Sequence, residues 1–334
     1  MPLDLLVPDL IAPPDAPPGM RELRLRALER WLARADLERS AAAGAEAWLA
    51  ERFALPAPAA TAAVCLAGEE APREGAWLRA DPVHLRIEGD SLVLHDASVL
   101  DVRREEAHAL VAALQAHFAG DRLRFHAPAP DRWYVEVPEG ELPATVALDR
   151  ARGRDPFGLL PAGRGRINWP AALTEAQMVL CAHEVNAQRE AAGAPQVNSV
   201  WFWGEGRAPA TLERRYAEVH AASPFALGLA RLSGARARGV PATLAQVDLL
   251  PESEDALVVL DFLAPPMHRV DIDAWRAAAE ALEAAWFQDL GAAIDRFGVV
   301  RLVLPREADT LVAVLGRAAR RRWLRRSRPL ATHA

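Results

Sequence analysis

Asn186, Arg189, Asn198, Gly204 and Gly206 recur in the pattern Asn-x-x-Arg-x-x-x-Gly-x-x-x-x-Asn-x-x-Trp-x-Trp-Gly-x-Gly, which reads as a helix, a turn, a buried strand and a glycine loop. A guanidinium offers a planar fork of donors to a carboxylate or phosphate, two carboxamides can orient such a group, and glycines let backbone N–H groups come close to it. These five residues are therefore expected to be the ligand contacts of an anion site. Asn186 and Arg189 are three apart and share a helix face, and Trp201 and Trp203 buttress the strand that follows. The same residues also admit a purely architectural reading, in which Asn198 satisfies a turn, the tryptophans are core and the glycines mark a strand exit.

Other residues capable of chemistry do not assemble into a pattern. His183-Glu184 opens like the zinc signature His-Glu-x-x-His, but Ala187 stands where the second histidine is needed. His84, His95, His108, His117 and His126 lack the spacing that pairs two ligands on one helix. Ser199 and Ser223 lie outside any Gly-x-Ser-x-Gly elbow, and Cys65 and Cys181 are far apart and unaccompanied. No catalytic residue, metal ligand or cofactor is assigned.

The chain has 334 residues, 51% of them hydrophobic and 25% charged, with a formal net charge of −6. Such a chain can bury a core, and its acidic balance argues against nucleic acid as the main partner. Two distant cysteines, no basic start followed by an apolar run, and no stretch near the roughly 18 apolar residues of a membrane span lead to the expectation of a cytoplasmic protein. One local exception is the C-terminal segment, where Arg317, Arg320, Arg321, Arg322, Arg325, Arg326 and Arg328 surround Trp323 and Leu324. It suits anionic lipid, nucleic acid or an acidic partner, or else forms a solvated last helix.

The elements that must position these residues follow from periodicity. Leu3–Val7 reads as a buried strand, Met20–Phe53 as helices broken near Gly44, and Val64–Leu66, Trp77–Leu78 and Asp81–Ile87 as strands. Arg103–Phe118 is an amphipathic helix, followed by a hairpin of Leu123–His126 and Trp133–Val137. A helix running to about Ala192 then leads to a strand at Val197–Trp203. Arg214–Leu232 reads as largely helical, Ala256–Leu263 as a strand, Trp275–Phe297 as one long helix and Val299–Leu304 as a strand. This alternation predicts an α/β fold with a mainly parallel sheet flanked by helices, whose ligands belong at the strand C-terminal ends. An N-terminal α+β lobe over 1–140 and an α/β lobe over 141–334 with a basic C-terminal helix are expected.

Gly153-Arg154-Asp155, Leu160–Gly163, Trp169, Gln177-Met178, Val185-Asn186, Arg189-Glu190, Gly193, Val197-Asn198 and Trp201–Gly204 together resemble the bacterial RpfE-type regulatory protein family. The Asn-x-x-Arg…Gly…Asn…Gly-x-Gly part also resembles archaeal-type cofactor-independent phosphoglycerate mutases of the alkaline phosphatase superfamily. That resemblance implies a mutase-like fold, and it places an Asp-x-x-x-His metal motif where this chain has Ala264 and His268. It places an Asp-His-Ser/Thr motif where the chain reads Arg306-Glu307-Ala308-Asp309-Thr310. With those ligands absent, the resemblance implies a non-catalytic, regulatory protein that binds an anionic small molecule or a protein partner. The alternatives are an active metal-dependent phosphotransferase drawing on Asp9, Asp261, His268 and Asp309, and a structural interaction module.

Overall fold

In the run Leu3-Asp4-Leu5-Leu6-Val7 the only polar residue is Asp4, and a strand of that kind is stable only if both its faces are covered. The computed structural model describes residues 2–70, 73–247 and 255–334. Its strands, in chain order, are β1 (Pro2–Leu6), β2 (Asp36–Ser40), β3 (Ala76–Glu88), β4 (Ser91–His95), β5 (Arg124–Ala129) and β6 (Arg132–Val137). They continue with β7 (Ser199–Gly206), β8 (Glu218–His220), β9 (Arg236–Arg238), β10 (Ala256–Val259), β11 (Val299–Pro305) and β12 (Thr310–Gly316).

The chain divides into two compact units, residues 1–55 with 210–334, and residues 56–209. The expected boundary at 140 falls inside the second unit. The reason is strand pairing: β1 finds its partners in β10 and β11, so the first residues belong with the last. The extra lobe is accordingly an inserted unit and not an N-terminal one.

The first unit holds a seven-stranded sheet in the order β2-β12-β11-β1-β10-β8-β9. From β11 to β9 neighbours are parallel, and β12 and β2 close one side antiparallel. This is the mainly parallel sheet with flanking helices that the α/β alternation predicts. Leu3, Leu5, Val258, Val300 and Leu302 pack on one face with Trp275, Trp286 and Phe287 from the helical region that precedes β11. That region is Ile272–Leu282, a π turn at Glu283–Phe287, and Leu290–Phe297, so the single long helix expected there is interrupted. The carboxylate of Glu283, in the π turn, accepts from the backbone N–H groups of Ala27 and Leu28 at the start of the helix Arg26–Arg34.

Three further local expectations are corrected. Asp36–Ser40 is an edge strand made of exposed residues, so it carries no apolar alternation to announce it. Arg214–Leu232 contains β8 before the helix Pro224–Leu232 begins. The Arg-rich C-terminal segment is not a helix of several turns but a five-residue 3-10 turn, Arg317–Arg321, followed by coil.

The second unit carries an antiparallel sheet in which β3 pairs with β4, β6 and β7, and β5 pairs with β6. The helix Arg104–His117 and the helix Trp169–Cys181 contribute Leu110, Leu114, Trp169, Leu173 and Leu180 to its core. Val64–Leu66, expected as a strand, lies in the helix Thr61–Glu69. Its alanines favour helix, and burial on nearly every side removes the amphipathic signature. Among the described residues, no helix is long and apolar enough to cross a membrane.

Asp4 is 1% exposed in the middle of the first unit's sheet. Its carboxylate accepts from the Tyr216 hydroxyl at 2.7 Å and from Arg301 Nε at 2.5 Å, and Arg52 Nη2 lies 3.8 Å away. Arg52 Nε in turn donates to the Tyr216 oxygen at 2.7 Å. Burial and the neighbouring Asp4 charge push the Tyr216 phenol well above its usual range. Removing one partner of such a buried set strands the others, which typically costs about 3–5 kcal/mol. Asp4→Ala is expected to lower the urea unfolding free energy of the first unit by that order, with Asp4→Asn losing less. A change within about 0.5 kcal/mol, the range of ordinary surface substitutions, would show that the network does not bear on stability.

Candidate functional site

The five residues expected to contact an anion lie in the second unit, and the structure places all of them in local architecture. Asn186, fully buried in the helix Glu184–Ala191, donates through Nδ2 to the carbonyls of Leu180 at 2.7 Å and Val197 at 2.8 Å. Its Oδ1 accepts from Val197 N at 2.8 Å. Both donors and the acceptor of the amide are thereby satisfied. His183 caps the start of this helix, which is why the helix expected to run unbroken to Ala192 divides at residues 182–183.

Arg189 is 4% exposed. Its Nε donates to the Pro195 carbonyl at 2.8 Å, Nη1 to Glu106 Oε2 at 2.8 Å, and Nη2 to the Leu100 carbonyl. Glu106 also accepts from Arg103, from the backbone N and from Nη2, each at 2.9 Å. Burial alone would raise the Glu106 carboxyl, but the hydrogen bonds from Arg103 and the charges of Arg189 and Arg103 outweigh it and hold the group below the usual glutamate range. Asn198 pairs with Leu85 through both amide atoms at 2.8 Å, continuing the contact between β7 and β3 by a side chain.

Gly204 and Gly206 belong to β7 and not to a loop beyond it. They have φ values of +71° and +151°, and a Cβ on Gly206 would stand 2.5 Å from Ala60 Cβ. The glycines let the chain entering the helix Thr61–Glu69 lie directly on the strand. The anion-contact expectation for Asn186, Arg189, Asn198, Gly204 and Gly206 is therefore corrected: their donors face the chain's own carbonyls and one carboxylate, and the glycines face backbone. Trp201 and Trp203 do buttress the strand, with Nε1 atoms donating to Val146 O at 2.8 Å and Asp81 Oδ2 at 2.7 Å.

The residues named for the alternative metal chemistry lie in the first unit. Asp9 follows β1 with φ +59°, and its carbonyl accepts from Trp275 Nε1 at 2.9 Å. Asp261 follows β10, where burial raises its carboxyl above the usual range. Asp309 is held by a double hydrogen bond from Arg306, both contacts at 2.6 Å, across the turn between β11 and β12. Among the described residues no group of three His, Cys, Asp or Glu is placed to hold a metal ion.

A cluster the sequence did not disclose lies on β8 and β9. Register pairs Glu218 with Arg236 and His220 with Arg238, so all four share one face. Glu218 and His220 are buried, at 1% and 4% exposure, whereas the Arg236 and Arg238 side chains are half-exposed. Glu218 lies 3.3 Å from Arg238 Nε, 3.5 Å from His220 Nε2 and 3.7 Å from Arg236 Nη1, near enough for Coulomb attraction. None of these contacts has hydrogen-bond geometry, and among the described residues both Glu218 oxygens and His220 Nε2 remain without a hydrogen-bond partner. Nδ1 of His220 lies 3.2 Å from the Gly239 carbonyl, which fixes the ring. The signal available in the sequence was Glu-x-His and Arg-x-Arg, a period-2 pattern masked because each strand is only three residues long.

This cluster runs the length of the two short parallel strands at one edge of the sheet, and only His220 and Arg238 are at their C-terminal ends. Two guanidinium forks oriented by a buried carboxylate, with an imidazole whose free nitrogen can donate or accept, can receive a phosphate or carboxylate.

Comparison with known proteins adds a distant relationship. No family model matches the chain. A segment of 132 residues, 39% of this chain and 33% of the relative, is 27% identical to a probable 2,3-bisphosphoglycerate-independent phosphoglycerate mutase of Geobacter sulfurreducens. A segment of 146 residues, 42% of this chain and 36% of the relative, is 27% identical to a 2,3-bisphosphoglycerate-independent phosphoglycerate mutase of Methanosarcina acetivorans. The match thus spans about a third of the length of these curated relatives. The solved structure of the PH0037 protein from Pyrococcus horikoshii shares the fold, with a TM-score of 0.62 at 14% identity over 99% of this chain and 92% of that one.

Arg189→Ala is expected to destabilise the second unit by about 3–5 kcal/mol, because it takes a donor from the buried Glu106 and from the Pro195 and Leu100 carbonyls. Denaturant titration checks this, with exposed Arg326→Ala as the control. Because the folded-state Glu106 carboxyl is depressed, its contribution is present above the ordinary glutamate value of about 4.3 and is lost as pH falls through the depressed one. Glu106→Gln should therefore flatten the acid limb of the stability profile. An unchanged limb would assign acid sensitivity to other carboxylates.

Proposed function

We propose that this chain is a phosphoglycerate-mutase-like protein that binds a phosphorylated or carboxylated small molecule and does not itself transfer phosphoryl groups. The observation that carries the reading is the β8–β9 cluster, in which two half-exposed guanidinium groups and the buried His220 ring gather around Glu218, and His220 Nε2 has no hydrogen-bond partner among the described residues. Arg236 and Arg238 would grip the anion, Glu218 would hold both forks in position, and His220 would donate to a ligand oxygen. The distant homology to phosphoglycerate mutases supports a phosphorylated three-carbon acid as the first ligand to try. A regulatory role is supported by the resemblance of Gly153–Gly204 to the RpfE-type family.

The non-catalytic part of the reading rests on what occupies the strand ends. Ala264 stands four residues before His268, and Asp309 is engaged by Arg306. The second reading, an active metal-dependent phosphotransferase, is favoured by one observation, the buried Asp261 carboxyl at the end of β10. Two-metal phosphoryl transfer needs several such ligands around a pair of cations.

A thermal-shift titration with 3-phosphoglycerate and inorganic phosphate tests the proposal. A ligand at about one hundred times its dissociation constant stabilises the native state by roughly 2.7 kcal/mol. Arg236→Ala/Arg238→Ala is expected to erase the shift and, by leaving the buried Glu218 without its counter-charges, to lower the unliganded melting temperature as well, whereas Arg236→Lys/Arg238→Lys keeps the charges, loses the planar forks and is expected to weaken the shift with the unliganded melting temperature near that of the parent protein. A shift that survives the double alanine substitution would place the anion elsewhere. Mutase turnover that appears with added Mn²⁺ and disappears with chelator would establish the enzymatic reading instead.

A further inference from the structure

The C-terminal segment from Arg317 to Arg328 contains seven arginines and neither Asp nor Glu, in a chain whose formal net charge is −6. At its tip Trp323 is 68% exposed and Leu324 is 77% exposed, two adjacent large apolar side chains turned to solvent. The tip is held on both sides. Ala319 is buried before it, Arg322 Nη1 donates to the Arg34 carbonyl at 3.0 Å and to Asp36 at 2.6 Å, and Arg325 Nη1 donates to the Ala35 carbonyl at 3.2 Å. After it, Leu330 is buried and its N–H donates to Glu29 Oε1 at 3.1 Å. A tethered turn thus keeps an indole and an isobutyl group out of the core, although burial would favour both. Arg321, Arg326 and Arg328 form no ion pair among the described residues and remain exposed around them.

We infer that this turn is a docking surface for an anionic phospholipid bilayer, with Trp323 and Leu324 entering the headgroup boundary and Arg321, Arg326 and Arg328 meeting lipid phosphates. Tryptophan is favoured at the membrane–water boundary because its ring is apolar and its N–H is polar, and an adjacent leucine adds apolar depth. Arginines beside the wedge supply attraction that depends on anionic lipid and falls with salt. A single-stranded nucleic acid would use the same charges, but its platforms stack successive bases on several aromatic faces, and this segment has one. The inference is independent of the β8–β9 site.

Co-sedimentation with vesicles of phosphatidylglycerol and phosphatidylcholine, against vesicles of phosphatidylcholine alone, tests it. The full chain is expected to bind the anionic vesicles and not the neutral ones, with binding lost as salt is raised from about 0.1 to 0.5 M. Trp323→Ala/Leu324→Ala should weaken partitioning about tenfold or more, and Arg321→Gln/Arg326→Gln/Arg328→Gln should do the same. Both variants should melt with the parent protein, since every altered side chain is exposed. As a second readout, brominated lipid should quench the parent protein's fluorescence, and Trp323→Phe should remove most of that quenching. Equal partitioning of parent protein and the Trp323/Leu324 variant would overturn the inference. Binding of a single-stranded oligonucleotide with no vesicle binding would overturn it in favour of nucleic acid.

Discussion

A carboxylate in the middle of a sheet is the constraint around which the first unit is arranged. Asp4 sits on the central strand, with parallel neighbours on both sides, and is buried from water at 1% exposure. Its neutralisation requires Tyr216 from just before β8, Arg301 from β11 and Arg52 from the residues that precede the inserted unit. Three regions remote in sequence are thereby brought to one point. The apolar residues of β1 would bury themselves in any sheet, whereas the charge accepts only this set of neighbours. Buried ion pairs contribute little net energy compared with apolar replacements, and here the return is in which strands pair.

The second unit uses the same device with the signs exchanged. Arg189 is the buried charge, and Glu106 with two backbone carbonyls provides its surroundings. Asn186 fixes the turn between helix and strand, so that β7 enters the sheet beside β3 in one register. At the margin of the first unit's sheet β8 and β9 are short, and the two arginines of β9 reach solvent.

Much of the fold was legible in the sequence. The strands β1, β3, β6, β10 and β11 are apolar or alternating runs, and their order with the helices points to a parallel α/β sheet. What escaped notice was structure without an apolar signature. The strands Asp36–Ser40 and Arg236–Arg238 are largely exposed, and Glu218–His220 carries charge where burial would predict Val or Ile. The boundary was misplaced because only tertiary pairing reveals that β1 belongs with β10 and β11. The expected site failed for a physical reason: an arginine and two asparagines that converge on a ligand look identical in sequence to those that converge on backbone carbonyls. Both demand donors at fixed spacing. Only the acceptors differ, and a main-chain acceptor leaves no trace in residue identity.

The discontinuity of the first unit bears on the order in which the protein is made. Synthesis delivers β1 before the second unit, yet both its neighbours, β10 and β11, emerge only after the whole of residues 56–209 has left the ribosome. The second unit is continuous and can complete its antiparallel sheet while the first strand is still waiting, its apolar residues and Asp4 open to solvent. A strand made before residues 56–209 is thus enclosed only after them, and its Asp4 meets Arg301 only once β11 has been made.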